Sequence, residues 1–536
     1  MKKVFKRFGA FLLASIMMLA MCPVGAFADT KTPTAADIAT ITVEDVEAGA
    51  TVTAYQIVEG EYNANGFIGY KAVDSLSTEI VNPLSPTPAE IQSIAAQISS
   101  GTITTLTSHE LSYDSTTKDY TVAAEAGYWI ILVKGGSASK VYNPMLAGVY
   151  YSVEGSGSDN TLTNDPVSAN ESWIIEGTKA YDKSSEVTVT KKIVGGASGN
   201  DKGDDVAIGD VVNYSISGNI PAYSDAYTQV TYKITDKTSD GLKLLNTDKN
   251  PVTVKVGGQA VEASEDTYTL AVVDHEMTVD FASAYALSHT GQAVEVTYSA
   301  QLTEDANTNF DANTNTAKIT YSNDPTVDST TCKTPTTDTP EDKTYHYTFE
   351  LDGKLSATWD STKVTTELTK THRVTDETTK EQKSAPLSGA TFTLTNKTTN
   401  KVYEATSDVN GQLNFKGLDA GTYTLKEKSA PAGYSLNKKE IPVVISATYN
   451  ENGTLANYSV KVDGKATSTY TASYTGTDEI ENIEINKVDT SIPNTPLSSL
   501  PSTGGMGTYL FTIVGIAIMA IAAGLFIVSR KRRRSL

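Results

Sequence analysis

The sequence is poor in cysteine, histidine and basic residues, and each shortage excludes a class of function. It has only two cysteines and five histidines among 536 residues. The histidines are scattered and form no His-Glu-x-x-His grouping, so we expect no metal site and no cofactor. Acidic residues outnumber basic ones by 63 to 43, which gives a net charge of −20. That balance argues against nucleic acid as a partner and suits a soluble extracellular protein.

The first 28 residues have the pattern of a secretory signal peptide. A basic start is followed by an apolar stretch, and the segment closes with Ala26-Phe27-Ala28. We therefore predict a signal peptide over residues 1–28 and an exported chain that begins at Asp29. Its removal leaves Cys332 as the only cysteine, so no intramolecular disulfide can form. The exported domains need another source of rigidity.

The C-terminus combines a pentapeptide, an apolar run and a basic tail. The run, residues 509–528, is about 20 residues long, which is enough to cross a bilayer as one helix. The basic tail, residues 529–536, would hold that end in the cytoplasm. In this order the three pieces resemble the cell-wall sorting signal, LPXTG, of Gram-positive surface proteins. In that family a sortase cleaves the Thr–Gly bond and passes the threonyl acyl group to an amine. The matching residues are Leu500, Pro501, Ser502, Thr503 and Gly504.

Between these ends the chain favours short strands over helices. Thr, Ser, Val, Tyr and Gly are abundant, and apolar residues repeatedly alternate with polar ones. Turn residues between the strands predict an all-β fold of tandem immunoglobulin-like sandwiches. One helix is expected over Ala89–Ile98. The length suggests three domains, which we place at 29–180, 184–333 and 344–490.

The middle block carries three polar residues on predicted core faces. Residues two apart in a strand share a face. By this rule Lys191, Asp236 and Asn323 each fall on the apolar face of their own strand. The apolar residues that define these faces are Val187, Val189, Ile193, Val230, Tyr232, Ile234, Ile319 and Tyr321.

Burial of these three residue types together indicates a specific reaction. A buried lysine tends to lose its proton and becomes a nucleophile, while a buried carboxyl group tends to keep its proton. The neutral acid can polarise an asparagine carbonyl, so that attack by the amine expels ammonia and leaves a Lys–Asn isopeptide bond. The segments that contain Lys191, Asp236 and Asn323 resemble those of the CnaA- and CnaB-type domains of Gram-positive pilins that form such bonds. That resemblance implies that Lys191 is the nucleophile, Asp236 the acid and Asn323 the electrophile. The alternative is a buried salt bridge between Lys191 and Asp236.

The C-terminal block repeats this logic. The segment Tyr423–Tyr434 closely resembles the "E-box" of pilins, which implies that Glu427 is the acid. Asn482 follows Ile480 by two near the end of the domain and is the expected electrophile. Lys370 is the preferred nucleophile, and Lys354 is the rival. The polar stretch 487–499 is interpreted as a spacer.

A lysine at the junction of the first two domains is a candidate for polymerisation. Backbone pilins carry a pilin motif there, a tryptophan followed by Val-x-Val-Tyr-Pro-Lys. Trp173 and Lys183 resemble its two ends, although Asp182 replaces the proline, and Thr178 and Ala180 replace the valines. Lys192 and Lys179 are alternatives for the same role.

The resemblance covers nearly the whole chain and implies a structural role. The chain is similar to the shaft subunit of a covalent, wall-anchored surface pilus, and it is expected to act as a sortase substrate rather than as an enzyme. The implied partners are a class C pilus sortase, a housekeeping sortase, other copies of the chain, accessory pilins and peptidoglycan. A host surface ligand is also compatible with the family. The alternative is a monomeric wall-anchored or pilus-tip adhesin.

Overall fold

The computed structural model describes residues 32–136, 140–153, 162–168, 172–327, 331, 333–375, 378–379, 381–497 and 506–532. The predicted signal peptide, Cys332 and the LPSTG pentapeptide lie outside the described residues. The chain divides into two compact units. One unit holds residues 1–348 and 448–456, and the other holds 349–447 and 457–536. The three predicted domain ranges stay predictions, but the first unit does contain two separate hydrophobic cores.

The structure is 52% strand and 9% helix, so the all-β prediction is confirmed. Helix α1 (Pro88–Ser99) matches the predicted helix. It begins where a capping box can form, because Thr87 Oγ1 accepts from Glu90 N at 3.3 Å and Glu90 Oε2 accepts from Thr87 N at 2.6 Å. The proline at its first position lacks an N–H that would otherwise be left without a partner.

The first core lies between the two main sheets of the N-terminal block. These have the strand orders β12-β1-β6-β5 and β10-β3-β2-β7-β9-β11. The strands of the block are β1 (Ile38–Glu44), β2 (Ala50–Asn63), β3 (Gly66–Ala72), β4 (Ser108–Glu110), β5 (Ser112–Asp114), β6 (Asp119–Glu125), β7 (Gly127–Gly135), β8 (Lys140–Tyr142), β9 (Met145–Val153), β10 (Val167–Ser168), β11 (Trp173–Gly177), β12 (Lys179–Tyr181) and β13 (Ser184–Glu186). A 3₁₀ turn covers Asp74–Leu76.

The second core lies between sheets of order β14-β16-β23-β19-β20 and β15-β26-β24-β17-β22-β21. Its strands are β14 (Thr190–Val194), β15 (Gly203–Asp205), β16 (Val211–Asn219), β17 (Tyr232–Thr238), β18 (Leu242–Leu245), β19 (Thr253–Val256), β20 (Gln259–Val261), β21 (Tyr268–Val273), β22 (Glu276–Phe281), β23 (Ala293–Leu302), β24 (Asn313–Ser322), β25 (Thr336–Asp338) and β26 (Asp342–Tyr347). Helix α2 is Ser283–Ser288. Strand β14 and the paired strands β17 and β24 therefore belong to different sheets of one sandwich.

The remaining strands form a large sheet of order β33-β32-β35-β36-β37-β38-β39, a three-stranded sheet, β31-β30-β40, and two small sheets of two strands each, β27-β34 and β28-β29. They are β27 (Phe349–Leu351), β28 (Lys354–Ser356), β29 (Asp360–Val364), β30 (Leu368–Thr375), β31 (Gln382–Pro386), β32 (Thr391–Asn396), β33 (Val402–Thr406), β34 (Phe415–Leu418), β35 (Gly421–Ser429), β36 (Ile441–Tyr449), β37 (Leu455–Val462), β38 (Thr467–Thr475), β39 (Glu479–Asn486) and β40 (Thr490–Asn494). Strand β40 lies within the stretch interpreted as a spacer, so the folded part extends beyond the predicted limit at residue 490.

A single long apolar helix ends the described chain. Helix α3 (Met506–Arg532) contains the predicted span 509–528. Its segment Phe511–Lys531 has a mean hydropathy of 2.7 and is not buried in the protein. A helix of this length and composition is able to cross a bilayer.

Candidate crosslinking sites

Strand β14 positions Lys191 inside the second core. Its residues alternate between exposed and buried, and Lys191 and Ile193 are the buried pair. The main chain at Lys191 is held on both sides, because its N–H donates to Asp342 Oδ2 at 2.7 Å and its carbonyl accepts from Lys202 Nζ at 2.6 Å. The side chain, which has no exposed surface, points across the sandwich to the opposite sheet.

Asp236 and Tyr298 receive the amine of Lys191. Lys191 Nζ donates hydrogen bonds to Asp236 Oδ2 and to the Tyr298 hydroxyl. All three side chains are buried, and Asp236 has no exposed surface. The structure thus brings together the predicted nucleophile and the predicted acid.

The asparagine at this site is Asn315, and the assignment of Asn323 does not fit the structure. Asp236 pairs with Ala317 across β17 and β24, and Asn315 is two residues further along the same face of β24. Its Nδ2 lies 3.1 Å from the Tyr298 hydroxyl. Asn323 is also buried, as expected, but it is six residues from Ala317. At about 3.3 Å per residue this places it roughly 20 Å away.

Burial sets the charge states of the pair. Desolvation lowers the pKa of Lys191, and the neighbouring Asp236 only opposes this effect. Desolvation likewise raises the pKa of Asp236. Both shifts favour the neutral amine and the neutral acid. Within the described residues Asp236 Oδ1 and Asn315 Oδ1 are buried without a hydrogen-bond partner, and a proton on Asp236 would supply the missing donor.

Aromatic rings close the site to water. The rings of Tyr214 and Tyr298 stack with their centroids 5.2 Å apart. Lys191 Nζ lies 4.7 Å from one centroid and 4.9 Å from the other. The Tyr214 hydroxyl is 2.8 Å from Nε2 of His346, whose pKa is lowered to about 3, chiefly by burial.

A second site of the same composition lies in the other unit. Strand β30 runs parallel to β40 with Lys370 opposite Ile492, so Asn494 is two residues along from the paired position. Lys370 Nζ donates to Asn494 Oδ1 at 2.5 Å, and Asn494 Nδ2 donates to Glu427 Oε1 at 2.8 Å. The amine is 3.7 Å from the same Glu427 oxygen.

These contacts favour Lys370 over Lys354 and replace Asn482 by Asn494. Lys354 and Asn482 are both exposed, whereas Lys370, Asn494 and Glu427 are all buried. Asn482 was expected to face the core because it follows Ile480 by two. In β39, however, the buried residue is Ile483, which has the opposite parity. A pairing irregularity next to Tyr474 in β38 accompanies this change of face.

The second site has its own electrostatic character. Burial lowers the pKa of Lys370 to about 8, against the opposing effect of Glu427. Glu427 Oε2 accepts from the main-chain N–H of Asn437 at 2.6 Å, which fixes the carboxyl group. Gly411, at φ +78°, packs so tightly on the main chain of Lys370 that an added Cβ would lie 2.3 Å from the Lys370 carbonyl oxygen.

The three lysines considered for polymerisation differ in their partners. Lys192 pairs with Asp201 at 2.8 Å, and Lys179 pairs with Glu44. Lys183 is exposed between β12 and β13 and has no ion-pair partner in the described part of the chain. Partial desolvation nonetheless lowers its pKa. Asp182, which stands where the motif has proline, forms an ion pair with Lys140 at 2.8 Å.

Both asparagines that the structure selects carried a signal in the sequence. Asn315 falls on the face of β24 that also holds Ile319 and Tyr321, and every second residue from 313 to 321 is buried. Asn494 continues the buried alternation of Thr490 and Ile492. Parity alone does not choose among several asparagines on one face, because the choice depends on strand register.

Comparison with known proteins extends these observations to the whole chain. A prealbumin-like fold domain family matches residues 373–459, a T6 antigen Ig-like domain family matches 36–184, and the LPXTG cell wall anchor motif matches 492–535. The trypsin-resistant surface T6 protein of Streptococcus pyogenes serotype M6 is 28% identical over 544 residues, which cover 92% of this chain and 95% of that protein. These matches show that the chain is similar to the sortase-assembled backbone pilins of Gram-positive bacteria.

The solved structure of the T6 backbone pilin of the same serotype shows the same fold. It is 24% identical, covers 87% of this chain and all of its own chain, and has a TM-score of 0.59. The LPXTG anchor match and the apolar C-terminal helix indicate a cell wall-anchored surface protein whose precursor passes through a membrane-bound state.

Proposed function

We propose that this pilin is the structural shaft subunit of a covalent pilus and that two internal Lys–Asn isopeptide bonds stiffen it. The observation that carries the proposal is the pair of buried Lys–acid–Asn sets, Lys191–Asp236–Asn315 and Lys370–Glu427–Asn494. Each set joins an early strand of its sandwich to a late one. The likeness to the T6 protein, which is a backbone pilin, supports a shaft position over a pilus-tip adhesin.

Each site contains the groups that one turnover requires. The neutral amine of the lysine attacks Cγ of the asparagine, the Cγ–Nδ2 bond breaks, and ammonia leaves. The acid beside the asparagine stabilises the charge that develops as the amide is attacked, in a buried site. No cofactor takes part, and the product stays attached to the chain, so the reaction is a maturation step and not an enzymatic activity.

The bonds would also replace the missing disulfides. A bond from 191 to 315 and one from 370 to 494 each close a loop of 124 residues (315 − 191 and 494 − 370). Loop entropy predicts a stabilisation of about 5 kcal/mol for a crosslink of this span. Tension applied along the chain would then pass through covalent bonds instead of through sheet hydrogen bonds.

Polymerisation requires one further amine. In the proposed assembly a pilus sortase cleaves Thr503–Gly504 of one copy and joins Thr503 to Lys183 of the next. A housekeeping sortase would attach the finished fibre to peptidoglycan, and accessory pilins would complete it. Exposure, the lack of an ion-pair partner and a lowered pKa support Lys183 over Lys192 and Lys179, because a neutral and accessible amine is the better acceptor.

Mass mapping of the full chain tests the internal bonds. The chain is produced in a host without sortase, digested with trypsin under denaturing conditions and searched for branched peptides. We expect peptides that join 191 to 315 and 370 to 494, each lighter by one ammonia than the sum of its parts. Unbranched peptides at all four positions would refute the proposal.

Substitution of the candidate lysines tests the joint between subunits. When the chain is produced together with its pilus sortase, Lys183→Ala should abolish the ladder of covalent multimers on a denaturing gel. Lys192→Ala and Lys179→Ala serve as matched controls and should leave the ladder intact. A ladder that persists in Lys183→Ala and disappears in one of the controls would move the joint to that lysine.

A further inference from the structure

Tyr298 contacts both nitrogens that exchange a proton in the proposed reaction at the first site. It lies on β23 with 3% of its surface exposed. Its hydroxyl is bonded to Lys191 Nζ and lies 3.1 Å from Asn315 Nδ2. The first nitrogen is the nucleophile, and the second belongs to the leaving group.

The reaction needs a proton transfer that the attack itself does not provide. When Nζ bonds to Cγ, the attacking nitrogen carries one proton too many, and Nδ2 needs one more proton to leave as ammonia. An amide nitrogen is a poor base, but Nδ2 becomes basic once Cγ is tetrahedral. One proton must therefore pass from Nζ to Nδ2, inside a core closed to water.

Asp236 interacts with Lys191, Tyr298 and Asn315, but the short hydrogen bond of Asn315 Nδ2 goes to the Tyr298 hydroxyl. One of its oxygens, Oδ2, is bonded to Lys191 Nζ, and the other has no partner within the described residues. In the proposed mechanism the proton of Asp236 faces the carbonyl oxygen of Asn315, so it is engaged at the oxygen and not at the nitrogen.

We propose that Tyr298 is a catalytic residue that relays this proton. Its oxygen takes a proton from Lys191 Nζ while its own O–H proton goes to Asn315 Nδ2. The phenol is neutral before and after, the Nζ–Cγ bond replaces the Cγ–Nδ2 bond, and ammonia is the only product released. No external acid or base is needed.

The surroundings of Tyr298 suit a relay that does not ionise. Burial raises the pKa of Tyr298 well above its ordinary value, so the phenolate is disfavoured. The hydroxyl must therefore accept one proton as it gives up the other. Stacking on Tyr214, which is itself bonded to His346, fixes the ring. The second site has no such hydroxyl: among the described residues, Phe392 is the ring near Lys370 Nζ, at 5.5 Å.

The inference rests on the proposed function, and one experiment separates the two. The full chain is pulse-labelled in a host without sortase, samples are denatured at intervals, and both branched peptides are quantified. Removal of a proton-transfer group typically slows a reaction by about 10²- to 10⁴-fold. Tyr298→Phe should therefore slow the 191–315 bond at least about 100-fold, while the 370–494 bond forms at its normal rate.

A matched control is Tyr232→Phe. Tyr232 is buried in the same core, and its hydroxyl has no hydrogen-bond partner in the described residues, so its loss should leave both rates unchanged. Protease resistance of the second domain shows whether each variant folds. If Tyr298→Phe does not fold, 3-fluorotyrosine at position 298 is used, since it changes the acidity of the hydroxyl with little change in shape.

The outcomes are distinct. A slower 191–315 bond in folded Tyr298→Phe, or a changed rate with fluorotyrosine, supports the relay. A rate within about threefold of the parent chain in folded Tyr298→Phe overturns it, because general acid–base catalysis contributes far more than that. An unchanged rate with fluorotyrosine also overturns it. Absence of the 191–315 bond in the parent chain refutes the proposed function instead.

Discussion

The two candidate crosslinking sites have the same plan and different surroundings. In both, a lysine and an asparagine are 124 residues apart, and the asparagine is displaced by two residues from a cross-strand pair. At the first site Asn315 is two residues from Ala317, which pairs with the acid Asp236. At the second site Asn494 is two residues from Ile492, which pairs with Lys370. The acid therefore shares a sheet with the asparagine at the first site and lies in the other sheet at the second.

This difference changes which group can move the proton. At the second site one oxygen of Glu427 is 2.8 Å from Asn494 Nδ2 and 3.7 Å from Lys370 Nζ, so the acid itself reaches both nitrogens. At the first site that place is taken by the hydroxyl of Tyr298. In the proposed reaction both sites need a lysine, an acid and an asparagine. The path of the proton depends on which polar group lies between lysine Nζ and asparagine Nδ2.

The largest expected effect is the loss of one bond without the other. Asn315→Ala removes the electrophile of the first site and Asn494→Ala that of the second, so each variant should lack its own branched peptide and keep the other. The affected sandwich should lose about 5 kcal/mol of stability, measured by denaturant unfolding of the full chain.

Asn323→Ala and Asn482→Ala are the matched controls for these two variants. Both keep the asparagine of each buried Lys–acid–Asn set, so both should retain two branched peptides by mass mapping. Loss of the 191–323 link in place of the 191–315 link would contradict the register reported for β17 and β24.

The next largest expected effect is a slower rate of bond formation when the acid of a site is removed. Asp236→Ala and Glu427→Ala should each slow bond formation at their own site by about 10²- to 10⁴-fold, because a proton-transfer and charge-stabilising group is removed. Pulse-labelled samples give the two rates in one chain, and the untouched site reports on export and folding. Equal slowing of both bonds would mean that the sites do not act separately.

The smallest effect is a dependence on pH at the second site. Because the pKa of Lys370 is lowered to about 8, the fraction of neutral amine falls about tenfold for each pH unit below that value. The rate of 370–494 bond formation in newly folded chain should fall in the same way between pH 8 and pH 6. It is measured from branched peptide after refolding at each pH. A flat profile would show that Lys370 is already neutral at pH 6.

The same shift predicts the pH dependence of stability when the bond is absent. In Asn494→Ala the folded state would bind fewer protons than the unfolded state between about pH 8 and the ordinary lysine pKa. The free energy of unfolding should therefore rise with pH through that window. Unfolding of this variant at several pH values checks the sign, and a fall in stability over the window would contradict the lowered pKa.

Residue types and their alternation were sufficient for much of the site. Lys191, Asp236 and Glu427 could be predicted, and Lys370 preferred over Lys354, because a charged residue on an apolar face is costly unless it is neutral or paired. Their asparagines could not be chosen in the same way. Asn313, Asn315 and Asn323 are all buried on one face of β24 or at its end, and of the three it is Asn315 that is hydrogen-bonded to Tyr298, the tyrosine that also contacts the amine.

The sequence by itself determined the all-β class and the apolar C-terminal helix, and it placed Lys191, Asp236 and Glu427 on core faces, because these depend on local alternation and hydropathy. The tertiary structure decided which asparagine joins each buried lysine and acid, which lysine of the second site is buried, and that Tyr298 is bonded to both Lys191 Nζ and Asn315 Nδ2. Those choices depend on the register between strands far apart in the chain. A strand pattern with a period of two repeats at every second residue, so it fixes the face of a residue but not its position along the partner strand.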